Sequence, residues 1–296
     1  MKKITKIVFI CVLLSMVVVL VSCGKKEETD PKNPNKEVIV EKETDTKAEE
    51  EPIEEKKEEP LTAQVIIPSE SEYSFNSDRS NPDDIYDATG FVSITDVIPD
   101  AILDIRYYST YNFVGDRING YEEPIALLSK EAAIALKQVS DELRGQGYLL
   151  KIFDAYRPQI AVEHFVAWSS DVNDTRMKPY FYPEIDKTKL FNSGYIAYRS
   201  GHSRGCTVDL TLFDMNTGKE VDMGGTFDYF GPLSHPSYTN ITGQQYNNRM
   251  LLRNVMVKYG FRPCSTEWWD FTLINEPYPK TYFSFPVSTD SISNNK

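Results

Sequence analysis

Histidine is scarce in this 296-residue chain: only His164, His202 and His235 occur, so an imidazole-dependent site has few residues to draw on. Cysteine is nearly as rare, with four in all, and Cys11 and Cys23 both fall near the start of the chain. Positive charge is in deficit. Lys and Arg number 32 against 44 Asp and Glu, for a formal net charge of -12. That excludes nucleic-acid binding as a main role, because such binding depends on basic side chains neutralising phosphates. Internal repeats are absent, which excludes a solenoid. Residues 24–60 have no aromatic side chain and carry 14 acidic and 8 basic ones. Such a stretch buries too little apolar surface to offset chain entropy, so it reads as a disordered acidic tether. The chain as a whole is 41% hydrophobic and 12% aromatic, enough for a sizeable core elsewhere.

What is present begins with an address. Lys2, Lys3 and Lys6 precede an apolar run from Ile7 to Val21, followed by Leu20-Val21-Ser22-Cys23-Gly24. This resembles a bacterial lipobox, in which small residues admit the signal peptidase and the cysteine thiol takes a diacylglyceryl group. The plainer alternative, an uncleaved membrane helix with an incidental cysteine, suits the run less well because it is short for a span. The expected organisation is therefore a signal peptide over 1–22, a tether over 23–85 lipidated at Cys23, a folded domain over 86–290 and a tail over 291–296. The protein would sit on the outer side of the cell membrane, touching it through the lipid anchor alone. Cys206 and Cys264 then remain; two free thiols are the simpler expectation, and export leaves a disulfide open.

Inside the domain, helical and strand patterns mix. Ser129 can cap a helix whose apolar positions Ala132, Leu136, Val139 and Leu143 keep helical spacing, with Gly145 and Gly147 ending it. Tyr148 to Phe153 reads as a buried strand and 154–158 as a turn. Pro158 suits the first turn of a helix to about Trp168, with Ala161, Phe165 and Trp168 on one face. Thr207 to Leu212 alternates, placing Thr207, Asp209 and Thr211 on one face and Val208, Leu210 and Leu212 on the other. A last helix over 244–259 should turn Leu251, Val255 and Tyr259 inward and stop at Gly260, before a strand around Trp268 to Leu273. The order predicts an α+β domain on a mainly antiparallel sheet.

The chemistry concentrates around His202, in Ser200-Gly201-His202-Ser203-Arg204-Gly205, with Asp209 seven residues on. An imidazole in a Gly-flanked loop and a carboxylate on a strand can share one cation, and zinc accepts both donor types. That pair alone is weak evidence. With Asp154-Ala155-Tyr156-Arg157-Pro158, Asp104-Ile105-Arg106-Tyr107, Asn112-Phe113, Asp209-Leu210-Thr211-Leu212, Glu267-Trp268-Trp269 and Glu276-Pro277-Tyr278-Pro279, in that family's order, the chain resembles the D-alanyl-D-alanine dipeptidases. These are zinc peptidases with a Hedgehog/D,D-peptidase-like fold.

The resemblance implies one zinc ion per domain, held in part by His202 and Asp209, and a small D-Ala-D-Ala-type dipeptide or cell-wall peptide as partner. It implies Glu267 as general base and Arg157 as stabiliser of the oxyanion, oriented by Asp154. It also implies Asp228 as holder of the substrate's free ammonium, with Tyr107 and Ser200 as polar neighbours. The plainer alternatives are a structural ion pair for Arg157 and a turn carboxylate for Asp228. His164 and His235 match no ligand position.

One position departs from the family pattern, which ends Glu-x-x-His with the His as third ligand. Here it reads Glu267-Trp268-Trp269-Asp270. Asp270 can ligate zinc, and a His/Asp/Asp set makes Mn²⁺ more competitive. Glu267 and Asp270, three apart, would point to opposite faces of a regular strand, so a bulge or turn must precede it. Two other readings follow from the same residues: a degenerate lipoprotein that binds wall peptides without cleaving them, and a D,D-carboxypeptidase.

Overall fold

The structure, a computed structural model, describes residues 85–293. The chain divides into two units, 1–65 and 66–296, and every described residue belongs to the second. The apolar leader, Cys23 and the tether as far as residue 84 lie outside the described residues, as do the last three of the tail. Among the described residues no helix is long and apolar enough to cross a membrane.

The elements run β1 (Phe91–Ser93), α1 (Ile94–Val97), β2 (Ile102–Leu103), β3 (Leu127–Ser129), α2 (Lys130–Gly145), β4 (Tyr148–Asp154), α3 (Gln159–Ser170) and α4 (Lys178–Phe181). Then come β5 (Thr207–Asp214), β6 (Lys219–Glu220), α5 (Gly243–Lys258), β7 (Phe261–Pro263), β8 (Asp270–Leu273) and α6 (Thr289–Ile292). The main sheet has the order β2-β4-β5-β8-β7, with β6 also on β5, and β1 pairs β3 separately. Every pairing between these strands is antiparallel except β2 with β4, and two isolated parallel bridges join Ile85 to Phe283 and Tyr121 to Val287. The fold is thus α+β on a mainly antiparallel sheet.

Local chemistry explains the helices that frame this sheet. Ser129 Oγ accepts from the Ala132 amide at 3.3 Å, satisfying one of the donors a helix start leaves open. The α2 face it launches buries Ala132, Leu136, Val139 and Leu143. Shortening the fully buried Leu136 to Ala would cost about 2–5 kcal/mol by loss of contact and a residual cavity. At α3, Pro158 stands one residue earlier than expected, as N-cap with extended backbone (φ -62, ψ 151), and Ala161, Phe165 and Trp168 are buried.

The expected face of α5 needs correction. A capping box between Thr242 and Gln245 starts this helix, and Arg249, Leu252, Val255 and Met256 face inward. Leu251 and Tyr259 are only half-buried. The inward face keeps i, i+3, i+4 spacing but includes Asn248 and Arg249, so apolar periodicity alone misplaces it.

β5 sits between β4 and β8 and is buried on both faces from Thr207 to Leu212. The polar alternation therefore does not mark a solvated face. Thr207, Asp209 and Thr211 are each no more than 2% exposed, which calls for partners or a ligand.

Candidate active site

Two register relations place the carboxylates. Asp154 on β4 lies opposite Asp209 on β5, and Asp209 lies opposite Asp270 on β8. Three aspartates thus form one row across three neighbouring strands. Like charges opposite each other across strands are destabilising, so the row needs compensating cations.

His202 and Arg157 supply part of that compensation from the loops above. Ser200 caps the short 3-10 helix Gly201–Arg204, its Oγ accepting from the His202 amide at 3.2 Å. Gly205 ends that turn at φ 78, and a Cβ there would lie 2.2 Å from the Phe91 ring, so both conformation and space require glycine. The turn delivers His202 Nδ1 to within 2.7 Å of the Ala155 carbonyl. A carbonyl oxygen only accepts, so Nδ1 donates and Nε2 is the nitrogen turned toward the carboxylates. Nε2 lies 3.4 Å from Asp209 Oδ2 and 3.3 Å from Asp270 Oδ2.

Arg157 closes the other side. Its Nε donates to Asp154 Oδ2 at 2.9 Å, its Nη2 lies 2.9 Å from the same oxygen, and Nη2 is 3.5 Å from Asp209 Oδ2. Tyr121 donates its hydroxyl to the other Asp154 oxygen at 2.6 Å. Asp154 also lies near His202 Nδ1, and Asp154, His202 and Asp209 each bring one ligand-type atom within 4.8 Å of the others. Asp154 is already engaged by Tyr121 and Arg157, however, and the nitrogen it approaches donates elsewhere. Its contacts fix the position of Arg157.

Asp228 marks the closed end. Its carboxylate accepts from Tyr107 Oη at 3.0 and 3.2 Å. The Tyr107 ring packs against Phe113, Phe165 and Phe227. Asp228 is also, among the described residues, the single non-glycine at positive φ (61°). Such backbone persists where the surroundings impose it.

Glu267 completes the group. β8 begins only at Asp270, and residues 267–269 form a turn before it. This turn resolves the three-residue spacing between Glu267 and Asp270: both line one cleft of about 630 Å3 with Arg157, His202, Asp209 and Asp228. Tyr107 and Ser200 line it too. His235 does not, and His164 lines a separate cavity, its Nδ1 accepting from the Asn119 amide at 3.2 Å. Cys206 is buried away from the cleft with Sγ 3.0 Å from Ser129 Oγ, and both Cys206 and Cys264 are free thiols.

The crowding is written in the proton affinities. Burial, reinforced by Asp209, pushes Asp228 up to about 8. Burial pushes Asp209 up to about 6, although His202 pulls it back. Glu267 is driven well above the usual carboxylate range by burial and by Asp270, Asp209 and Asp228. Burial opposes charge on His202, but Asp209 and Asp270 together outweigh it and hold the imidazole well above its ordinary value. Carboxylates pushed upward together with an imidazole pulled upward describe a site short of positive charge.

A divalent cation fits that shortage. Asp209 Oδ1 is buried without a hydrogen-bond partner, a costly condition for a carboxylate. The other oxygen of the same carboxylate, Oδ2, lies 3.4 Å from His202 Nε2, and with that nitrogen and Asp270 Oδ2 it makes a donor set of one nitrogen and carboxylate oxygens, all acceptable to zinc.

Known proteins resemble this chain over the same domain. A family model described as D-ala-D-ala dipeptidase matches residues 87–288. The chain belongs to this family. A D-alanyl-D-alanine dipeptidase of Enterococcus faecalis is 38% identical over 199 residues, covering 67% of this chain and 98% of that protein. One from Streptomyces coelicolor is 38% identical over 198 residues, covering 67% and 98%. One from Escherichia coli is 31% identical over 207 residues, covering 70% and 93%.

Two residues that support the family's cleft were missed in the sequence. Tyr121, which holds Asp154, lies in a loop with no periodicity to announce it. Arg249 is 1% exposed and donates to the carbonyls of Met223, Leu233 and His235 at 2.6, 3.0 and 3.1 Å. It therefore ties both ends of the loop that carries Asp228, and its guanidinium lies 5.6 Å from the centre of the Trp268 ring, beside Glu267. Its i, i+3 spacing with Leu252 was the available signal.

Proposed function

We propose that this protein is a metal-dependent D,D-dipeptidase that hydrolyses D-Ala-D-Ala or a closely related D-amino-acid dipeptide. The observation that carries the reading is the convergence of His202, Asp209, Asp270, Glu267, Arg157 and Asp228 on one cleft. The family's relatives are D-alanyl-D-alanine dipeptidases by name.

His202, Asp209 and Asp270 would hold the ion, which we take to be zinc, with Mn²⁺ a competitor because carboxylates outnumber imidazole. Bound there, a divalent cation supplies a Lewis acid that polarises the scissile carbonyl and makes water easier to deprotonate. The chain's own residues do the rest. Asp228 accepts hydrogen bonds from the substrate ammonium at the closed end, with Tyr107 beside it. That enclosure favours free dipeptides over the longer peptides a carboxypeptidase trims. Arg157, held by Asp154, donates to the oxygen on which negative charge develops, a contact that strengthens toward the transition state. Glu267 takes a proton from the attacking water and returns it to the leaving amine. Ser200 is a polar neighbour of the substrate on the cleft wall.

The purified protein should release D-Ala from D-Ala-D-Ala, lose that activity with a chelator and recover it with zinc. Metal bound without any turnover would favour the degenerate binder instead.

We further propose that the protein is an exported lipoprotein anchored through Cys23. What supports this is the basic start, the apolar run and the position of Cys23 before a tether-like stretch. Fatty-acid labelling of cells should mark the protein, and Cys23→Ala should abolish the label; a labelled variant would refute the anchor. An anchor outside the membrane favours scavenging or wall turnover over removal of a cytoplasmic dipeptide pool.

A further inference from the structure

We propose that the open half of the cleft, between Arg199 and Arg262, is a subsite for a second carboxylate. On this proposal the preferred dipeptides carry an acidic side chain on their carboxyl-terminal residue. The inference rests on the dipeptidase reading and deepens it.

The sheet lattice gives the position. Residues two apart on a strand share a face, so Thr207 shares the face of Asp209 and Thr272 that of Asp270. Thr207 pairs with Thr272, and Thr272 with Arg262. A second row, Thr207-Thr272-Arg262, therefore runs beside the aspartate row. It lies about 7 Å further along the strands, with Arg262 one strand, about 4.8 Å, beyond β8. All three of its residues line the cleft. The two threonine hydroxyls hydrogen-bond each other at 2.9 Å and form a polar floor.

Substrate direction follows from the closed end. With the ammonium at Asp228, behind the aromatic packing of Tyr107, the carboxyl-terminal residue must extend toward the exposed end. There Arg262 stands on β7 and Arg199 on the facing loop, both exposed and both lining the cleft. The cleft volume is also generous for two alanines, falling in the range that holds drug-sized ligands.

Pairing and position together single out these arginines. Arg106, Arg144, Arg157, Arg176 and Arg204 each pair with a carboxylate, and Arg249 with three carbonyls. Among the described residues Arg117, Arg199, Arg253 and Arg262 have neither kind of partner, and of these four Arg199 and Arg262 line the cleft; Arg199 covers the ring of Tyr282, at 4.6 Å. In a chain with 44 acidic and 32 basic side chains, two such arginines at one cleft mouth point to an anion supplied from outside. An exposed Arg on an edge strand can also serve to block edge pairing. That explanation covers Arg262 but not Arg199, which is on a loop.

The test compares kcat/KM for D-Ala-D-Asp, its neutral isostere D-Ala-D-Asn, and D-Ala-D-Lys, using the zinc-loaded full chain. D-Ala-D-Asp should exceed D-Ala-D-Asn by about tenfold, the size of one charge-assisted contact. Arg262→Glu should invert the ratio of D-Ala-D-Asp to D-Ala-D-Lys, and Arg199→Glu should move it the same way, with unchanged circular dichroism. Calorimetric binding of the same peptides to zinc-loaded Glu267→Gln protein should show the same order. Equal affinities there, or a ratio unmoved by both reversals, would overturn the subsite. Cleavage of no dipeptide, with the binding order preserved, would sink the dipeptidase reading and leave the subsite standing.

Discussion

Replacing Asp270 with Ala should remove most of the metal dependence of the thermal transition. Asp270 Oδ2 stands 3.3 Å from His202 Nε2, on the same side as Asp209. Outer partners of a metal ligand are worth about 10- to 100-fold in affinity, so losing a direct donor should cost about 100-fold or more. Linkage converts that into stability. With free zinc at about 100 times the wild-type Kd, binding stabilises the native state by about 2.7 kcal/mol; after a 100-fold loss the gain falls to about 0.4 kcal/mol. For a domain of roughly this size about 2–4 °C accompanies each kcal/mol, giving a zinc-induced shift of about 5–11 °C in wild type and about 1–2 °C in the variant. The chelated proteins should order differently. Asp270 faces Asp209 across the β5–β8 pair, so removing it relieves like-charge repulsion, and the chelated variant should melt no lower than chelated wild type. Asp270→His should restore the full zinc shift. The assay is a thermal scan with EDTA or zinc, beside elemental analysis of the dialysed protein. An Asp270→Ala shift equal to wild type would show that residue 270 is not a ligand, and no shift in wild type would refute the metal site.

Other outcomes follow from the same geometry. Glu267→Gln should keep zinc and lose about 10²–10⁴ in kcat, since the amide cannot take the proton; wild-type rates would remove Glu267 from the mechanism. Arg249→Lys keeps the charge but loses the planar fork, so KM for D-Ala-D-Ala should rise more than kcat falls, as Asp228 loosens. The effect on KM should shrink in an Asp228→Asn background, and full additivity would mean that Arg249 does not act through Asp228. Cys206 is pushed up to about 11 by burial. A raised thiol pKa contributes stability that is complete below the unfolded value of about 8.5 and is lost as pH rises through 11. Cys206→Ala should therefore flatten the fall in urea midpoint between pH 8.5 and 11. Peptide-resolved alkylation at pH 8 should spare Cys206, and rapid labelling would contradict its burial.

The sequence made the loops of this site more legible than its sheet. His202 was readable because glycines flank it in a short loop, and a turn that needs glycine, as at Gly205 with φ 78, leaves a local mark. Asp209 was readable from strand parity. The register that sets Asp209 opposite Asp270 was not, because β5 and β8 are neighbours in space but are separated in sequence by β6, α5 and β7. The turn at 267–269 was inferred only as a necessity of spacing. Arg249 stayed hidden for a different reason: a charged residue on an inward helix face breaks the apolar pattern by which that face is recognised. Tyr121 and the open-mouth arginines had no pattern at all, since loop and edge residues are fixed by partners far along the chain.

The left-handed backbone at Asp228 limits how this protein could diverge. An L-residue with a Cβ holds φ near 60° only at a cost, and Asp, Asn and Gly bear it most easily. Most single substitutions at 228 would disturb the loop as well as the carboxylate, and would be purged as folding defects. Asn and Gly are the exceptions: they keep the turn and discard the charge. A descendant shifting from free dipeptides toward peptides with blocked amino ends would therefore pass through Asn or Gly at this position. Homologous chains with either residue there, but with the histidine-aspartate-arginine cluster intact, are where such a change of diet should be sought.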